Sequence, residues 1–214
     1  MDRIILDDKL FILNGEDNQF SAAFLETART RITTIGTFFG FYYLPESLKI
    51  QITTLSKDLF RQLLQEKLKI NVPDGSVAIS SGANKVFIIS YPDLKEQYSE
   101  NGYLSLVVHE CAHLFQLLFS QVNTTEYTWL YETVACYLAR QEAKVLPTRK
   151  IEWESFTTSF YGVENCYALA YLFGKMLFQI KPEMVIKEML RNPHQYVREY
   201  QNIYERIWDK RLSS

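Results

Sequence analysis

Residues 109–113 read His-Glu-Cys-Ala-His, and this pentad constrains the chain more than any other feature in it. On a helix, His109 and His113 stand about 6 Å apart along one face, so both imidazoles can reach a single Zn²⁺ at roughly 2.0–2.1 Å. Glu110 lies about 100° around the same helix from His109. It stays beside such an ion without having to bind it, and its carboxylate can take a proton from water held there. The alternative is a helix that carries two histidines by accident. With only three histidines in 214 residues, chance is the weaker explanation.

The flanks read as helix. Leu104, Val107, Val108, Leu114, Leu117 and Leu118 recur at helical spacing, and Asn101-Gly102 offers a start. Such a helix is apolar on nearly every side except at the histidines, which predicts a central, buried position. Burying unpaired polar groups costs roughly 2–7 kcal/mol each, a cost that a shared metal ion would offset. Nineteen residues beyond His113, Glu132 interrupts Trp129, Leu130, Tyr131, Val134, Ala135, Cys136, Tyr137 and Leu138, on a helix that Thr124 or Thr125 would cap. A lone carboxylate there is costly unless a cation meets it. Glu132 therefore reads as a third metal ligand, with a surface or salt-bridged glutamate as the alternative.

This constellation resembles the gluzincins, zinc peptidases with a His-Glu-x-x-His helix and a glutamate ligand on the next long helix. The interval from His113 to Glu132 is similar to that of thermolysin-like and aminopeptidase-like members. The resemblance implies an α+β, zincin-like fold and Zn²⁺ as cofactor. It makes His109, His113 and Glu132 the ligands, Glu110 the general base, and a peptide or protein the substrate. It extends to Tyr167, because NCYALAYLFGKML looks like the helix of the aminopeptidase-like branch whose first-turn tyrosine stabilises the oxyanion, with Leu177 at the matching later position. Tyr161 and Tyr171 compete for that role, and an aromatic packing position is the other reading of Tyr167. In zincins a sheet edge beside the metal holds the substrate as an added strand. That makes Val86, Phe87, Ile88 and Ile89 the substrate-binding candidates, against an ordinary core strand.

Two departures qualify the resemblance. The aminopeptidase-like branch carries a Gly-x-Met-Glu-Asn segment whose glutamate grips the free amino group of the substrate. The nearest stretch here, Ser81-Gly82-Ala83-Asn84-Lys85, has no glutamate, so an endopeptidase or a narrow-specificity protease is expected. The thermolysin-like branch places an aspartate four residues after the glutamate ligand, where this chain has Cys136; the histidines must be oriented by another group. A zincin-like regulatory or binding module with little proteolysis is the alternative of a different class. Glu110 argues against it, since a structural metal site has no use for a base.

At 47% hydrophobic and 14% aromatic, the chain can build a core without disulfides. A net charge of −2 with no basic stripe excludes nucleic acid as an expected partner. Cys111, Cys136 and Cys166 are odd in number and lack Cys-x-x-Cys spacing, which argues against a disulfide framework and for a reducing compartment. They read as small buried hydrophobes, with a thiol switch or thiolate ligand as the alternative. Asp7, Asp8 and Lys9 break the N-terminal apolar stretch too often for a secretory leader. No run of about 18 uncharged apolar residues follows. The expectation is a cytoplasmic protein that does not enter the membrane.

Residues 1–100 read as an α/β subdomain carrying a small mixed sheet and the substrate edge. Residues 101–214 read as a mainly helical zinc-site subdomain, the two forming one catalytic unit. After a short opening strand, Phe20, Phe24, Ala28, Ile32, Ile35 and Phe39 mark a helix capped at Asn18. Residues 48–54 alternate as a strand, Ser56 precedes a helix over 57–69, and 76–80 with 85–90 form paired strands. The stretch YPDLKEQYSE reads as a polar loop. Helices are expected over 126–143, 163–180, 183–191 and 195–212, broken at Pro147, Pro182 and Pro193. His194, beside Pro193, reads as a surface residue.

Overall fold

A computed structural model describes residues 2–7, 11–15, 20–68, 76–82, 84–120, 126–142 and 145–212. The chain is α+β and divides into two compact units, Met1–Phe115 and Gln116–Ser214. The division falls at Phe115, inside the histidine-bearing helix, rather than ahead of that helix at residue 100. Among the described residues, no helix is long and apolar enough to cross a membrane.

In the first unit, strands β1 (Asp2–Asp7) and β2 (Phe11–Gly15) are followed by helix α1 (Ala22–Phe38) and strand β3 (Ile50–Leu55). The expected opening strand is thus an antiparallel pair. Ser21 caps α1 by accepting from the Phe24 amide at 3.0 Å, while Asn18, the expected cap, lies outside the described residues. Strand β3 alternates as its sequence predicts, with Ile50, Ile52 and Thr54 inward. Ser56 caps helix α2 (Lys57–Gln62), which continues as a π-helical turn over Leu63–Leu68. Strands β4 (Ala78–Ser81) and β5 (Lys85–Ile89) pair antiparallel across a turn in which Gly82 adopts φ 63°, a conformation that favours glycine.

The five strands form one sheet in the order β1-β2-β3-β5-β4, with β2, β3 and β5 parallel and both outer strands antiparallel to their neighbours. This topology corrects one expectation. Val86, Phe87, Ile88 and Ile89 do not lie on a sheet edge, because β5 is paired with β3 on one side and β4 on the other. Its main-chain groups have no open side for an added strand, and Val86 and Ile88 are fully buried. Among the described residues, the edge strand on that side is β4.

The stretch expected as a polar loop opens with a short helix, α3 (Tyr91–Leu94), which has Pro92 in its first turn. Helix α4 (Glu100–Ser120) follows, its Gly102 amide capped by Ser99 Oγ at 3.2 Å. Tyr103 is fully buried among Phe20, Phe24 and Tyr91, and Arg31 Nη2 donates to Ser105 Oγ at 3.2 Å. These contacts join α1 to α4.

The second unit takes in the last turn of α4 and helices α5 (Thr128–Leu138), α6 (Trp153–Thr158), α7 (Cys166–Ile180), α8 (Glu183–Arg191) and α9 (Val197–Leu212). Helix α5 starts later than expected, and Thr124 and Thr125 lie outside the described residues. Helix α6 has no counterpart in the expected elements. Aromatic packing builds the core: Trp129 lies edge-on to Trp153 (4.9 Å) and Tyr200 (5.2 Å), and Phe156 stacks on Tyr204 (5.0 Å). Tyr200 and Tyr204 are fully buried, which their hydroxyls tolerate by donating to the carbonyls of Met189 (2.9 Å) and Ile151 (2.8 Å).

Helices α5 and α7 approach closely at Gly174, where an added Cβ would meet Tyr137 Cβ at 2.7 Å and the Thr133 carbonyl oxygen at 2.8 Å. Neither atom can rotate away, so the helices would have to separate. Gly174→Ala should therefore destabilise: overpacking typically costs about 1–3 kcal/mol and outweighs the gain in helix propensity of up to about 1 kcal/mol. Urea unfolding should show a lowered midpoint with the slope unchanged. A wild-type midpoint would contradict this close approach.

Candidate metal centre

The pentad folds as its spacing predicts. Within α4, His109 and His113 lie one turn apart, their rings at right angles with centroids 4.5 Å apart and their Nε2 atoms 2.9 Å apart. His109 is 5% exposed and is followed by the fully buried Cys111 and Ala112, while Glu110 and His113 are partly exposed. An apolar helix thus turns one imidazole inward and leaves Glu110 next to it within reach of water.

Glu132 sits on α5 in the run Trp129–Cys136, all of it buried, and is itself 6% exposed. The last turn of α4 holds this part of α5: Gln116 Nε2 donates to the Tyr131 carbonyl at 2.9 Å, and the hydroxyls of Ser120 and Tyr131 are 2.6 Å apart. A ligand atom from each of His109, His113 and Glu132 lies within 4.8 Å of the other two. Ligand atoms bonded at 2.0–2.1 Å to one tetrahedral ion would stand about 3.3 Å apart, so the group fits a metal ion with modest adjustment. A buried carboxylate beside two imidazoles is also the arrangement that a cation stabilises.

Three tyrosines compete for a place beside this centre, and the structure separates them. Tyr171 donates to Glu142 Oε1 at 2.9 Å. Tyr161, in a 3-10 turn over Phe160–Gly162, donates to Glu132 Oε1 at 2.8 Å. Tyr167 is in the first turn of α7, 45% exposed, with its ring edge-on to Phe160 at 5.8 Å. Desolvation, then the charge of Glu132, then Tyr161 push its phenol up, so it remains a hydrogen-bond donor at neutral pH. Asn165, which opens this helix at φ 50° and ψ 42°, holds the left-handed conformation that asparagine tolerates better than most residues.

All three cysteines are buried, and none of them forms a disulfide. Burial first, and the charge of Glu110 second, push the Cys111 thiol up. Burial, Glu132 and Cys166 do the same to Cys136, and burial pushes Cys166 up to about 11. The thiol form, not the metal-binding thiolate, is the form this burial favours. His194 is exposed in the turn Pro193–Tyr196 and is not part of the metal group. In the Ser81–Lys85 segment, Asn84 Nδ2 donates to the carbonyls of Ser47 (3.2 Å) and Lys49 (3.0 Å), so its amide fastens the hairpin.

From sequence, Tyr161 is only a rival to Tyr167 for one role. Nothing local to either residue signals the contact with Glu132, which spans 29 positions. No protein-family model matches the chain, and no curated protein matches it in sequence.

Proposed function

We propose that this protein is a zinc-dependent peptidase of the gluzincin type, with a zincin-like arrangement of sheet and metal helix. The observation that carries the reading is the buried convergence of His109, His113 and Glu132, with Glu110 next to the group but not in it. Two imidazole nitrogens and one carboxylate oxygen suit zinc, whereas calcium and magnesium take oxygen ligands. Three protein ligands leave a coordination position open, as a catalytic site requires and a structural site does not. The mixed sheet ahead of the metal helix, with an antiparallel edge strand, agrees with the same reading.

When bound, zinc supplies a Lewis acid that lowers the pKa of water towards about 7 and offsets charge developing on the carbonyl oxygen. Glu110 takes the proton from the attacking water and later delivers it to the leaving amine nitrogen. Tyr167 donates its phenol hydrogen to the oxygen that becomes negative as the carbonyl is attacked. The edge of β4 offers main-chain groups to an extended substrate, a mode that recognises backbone more than side chains. Digestion of an unbiased peptide library should yield cleavage that a chelator abolishes and added Zn²⁺ restores. Cleavage insensitive to chelator would overturn the proposal.

Specificity follows from what the Ser81–Lys85 hairpin lacks. It has no carboxylate, and Asn84 is engaged by backbone carbonyls. A substrate ammonium buried without a partner costs on the order of several kcal/mol. Peptides with blocked N-termini should therefore be cut at least as well as free-amine aminoacyl amides in a matched panel. A preference of about a hundredfold for free amines would reveal an acidic anchor elsewhere, with Glu126 and Glu164, both exposed, as the residues to examine.

A further inference from the structure

We propose that Tyr161 is the positioning residue of the metal centre, its hydroxyl fixing the Glu132 carboxylate in the orientation in which it serves as third ligand. The inference rests on the reading of His109, His113 and Glu132 as a metal site, and it adds a residue that the pentad and its downstream glutamate do not include.

The turn that carries Tyr161 is built to hold it still. Gly162 N donates to the Ser159 carbonyl at 2.8 Å and Val163 N to the Phe160 carbonyl at 3.1 Å. Phe160 is 4% exposed and packs edge-on against Phe156 (5.5 Å) and Tyr167 (5.8 Å), which anchors the turn in the core. The next side chain is turned out of that core: Tyr161 is 56% exposed. Its ring nevertheless rests edge-on against Phe160 at 5.2 Å and lies 6.4 Å from Tyr167. The hydroxyl is thus delivered by a braced ring and not by a loose surface chain.

A phenol this exposed can satisfy its hydroxyl with water. Here it reaches inward to a carboxylate that is almost wholly buried, at 2.8 Å. A glutamate side chain has three torsions, and any metal ligand built on it must lose that freedom when the ion binds. A charge-assisted hydrogen bond to one oxygen removes much of the freedom beforehand while leaving lone pairs for an ion. Groups that orient ligands in this way typically contribute about 10–100-fold to metal affinity or activity. Tyr161 acts through Glu132, and its effect should appear in binding of the metal alone, before any substrate is present.

The test compares wild type, Tyr161→Phe, Tyr161→Leu and, as control, Tyr171→Phe, whose hydroxyl serves Glu142. Zn²⁺ affinity is read by competition with a chromophoric chelator, ligand geometry by the visible spectrum of the Co²⁺ form, and the fold by melting of the metal-free protein. Both Tyr161 variants should melt like wild type, bind Zn²⁺ about 10–100-fold more weakly and show an altered Co²⁺ spectrum; Tyr171→Phe should match wild type throughout. In the Glu132→Gln background, Tyr161→Phe should have little further effect on affinity, because the two residues act as one unit. Wild-type affinity and spectrum in the Tyr161 variants, or additive losses in the double variant, overturn the proposal. Loss of the melting transition in both Tyr161 variants also overturns it, since it assigns the residue to the fold. If wild type binds neither ion, the metal-site reading fails as well, so the two failures are distinguishable.

Discussion

Glu110→Gln should lower peptide hydrolysis by about 10²–10⁴-fold, the usual contribution of general acid–base catalysis, while the protein keeps its metal and its fold. The amide is nearly isosteric with the carboxylate but cannot accept the proton of the attacking water at neutral pH. Glu110 lies on the same helix as both histidines, is partly exposed and is not one of the three clustered residues. On the proposed mechanism its replacement removes a base and not a ligand. The measurement is turnover of a library-derived substrate by metal-loaded variant and wild type, alongside metal content and thermal melting. Near-wild-type turnover in the loaded variant would remove Glu110 from the mechanism. Loss of metal together with activity would show that the carboxylate supports the ion.

Glu132→Gln and His113→Ala should have the complementary effect, weakening metal binding by more than the ~10–100-fold expected for a supporting contact. Glu132 is the one carboxylate among the three clustered residues, and it is almost wholly buried. The amide keeps the volume but removes the carboxylate, so the change isolates electrostatics and coordination from packing. His113 is partly exposed, and its truncation leaves little cavity in the core. Affinity by chelator competition is the readout. A variant of either residue with wild-type affinity would take that residue out of the ligand set.

How far the sequence speaks depends on whether the deciding interaction is local. The pentad and the buried apolar helix around it are periodic signals, and His109 and His113 fall on one face as that periodicity requires. The alternation in β3 and the Ser56 cap are local too, and both appear where expected. Sheet order is not local. The apolar runs in 76–80 and 85–90 and the Ser81–Asn84 turn between them announce two paired strands, yet pattern alone does not say which is outermost, and β5 is interior. A sign of the true edge lies in β4, whose four residues are uniformly half-buried instead of alternating. Helix α6 is six residues long, too short for the 3.6-residue period to stand out. Serine and asparagine both cap helices, so residue type alone does not choose a cap for α1; the hydrogen bond from the Phe24 amide marks Ser21. In the metal centre, Glu132 was legible because a carboxylate in an apolar helix is locally anomalous. Tyr161 was not, since its significance comes from the turn that carries it to a residue 29 positions away.

The central claim is that His109, His113 and Glu132 hold one metal ion, and elemental analysis of the intact protein tests it most directly. Protein purified without chelator should contain about one equivalent of zinc, as expected of a single site with three protein ligands. Chelator-stripped protein should take up one equivalent on titration, and Glu132→Gln should not at the same free-metal concentration. No zinc in protein never exposed to chelator, together with no uptake on titration, would contradict the account.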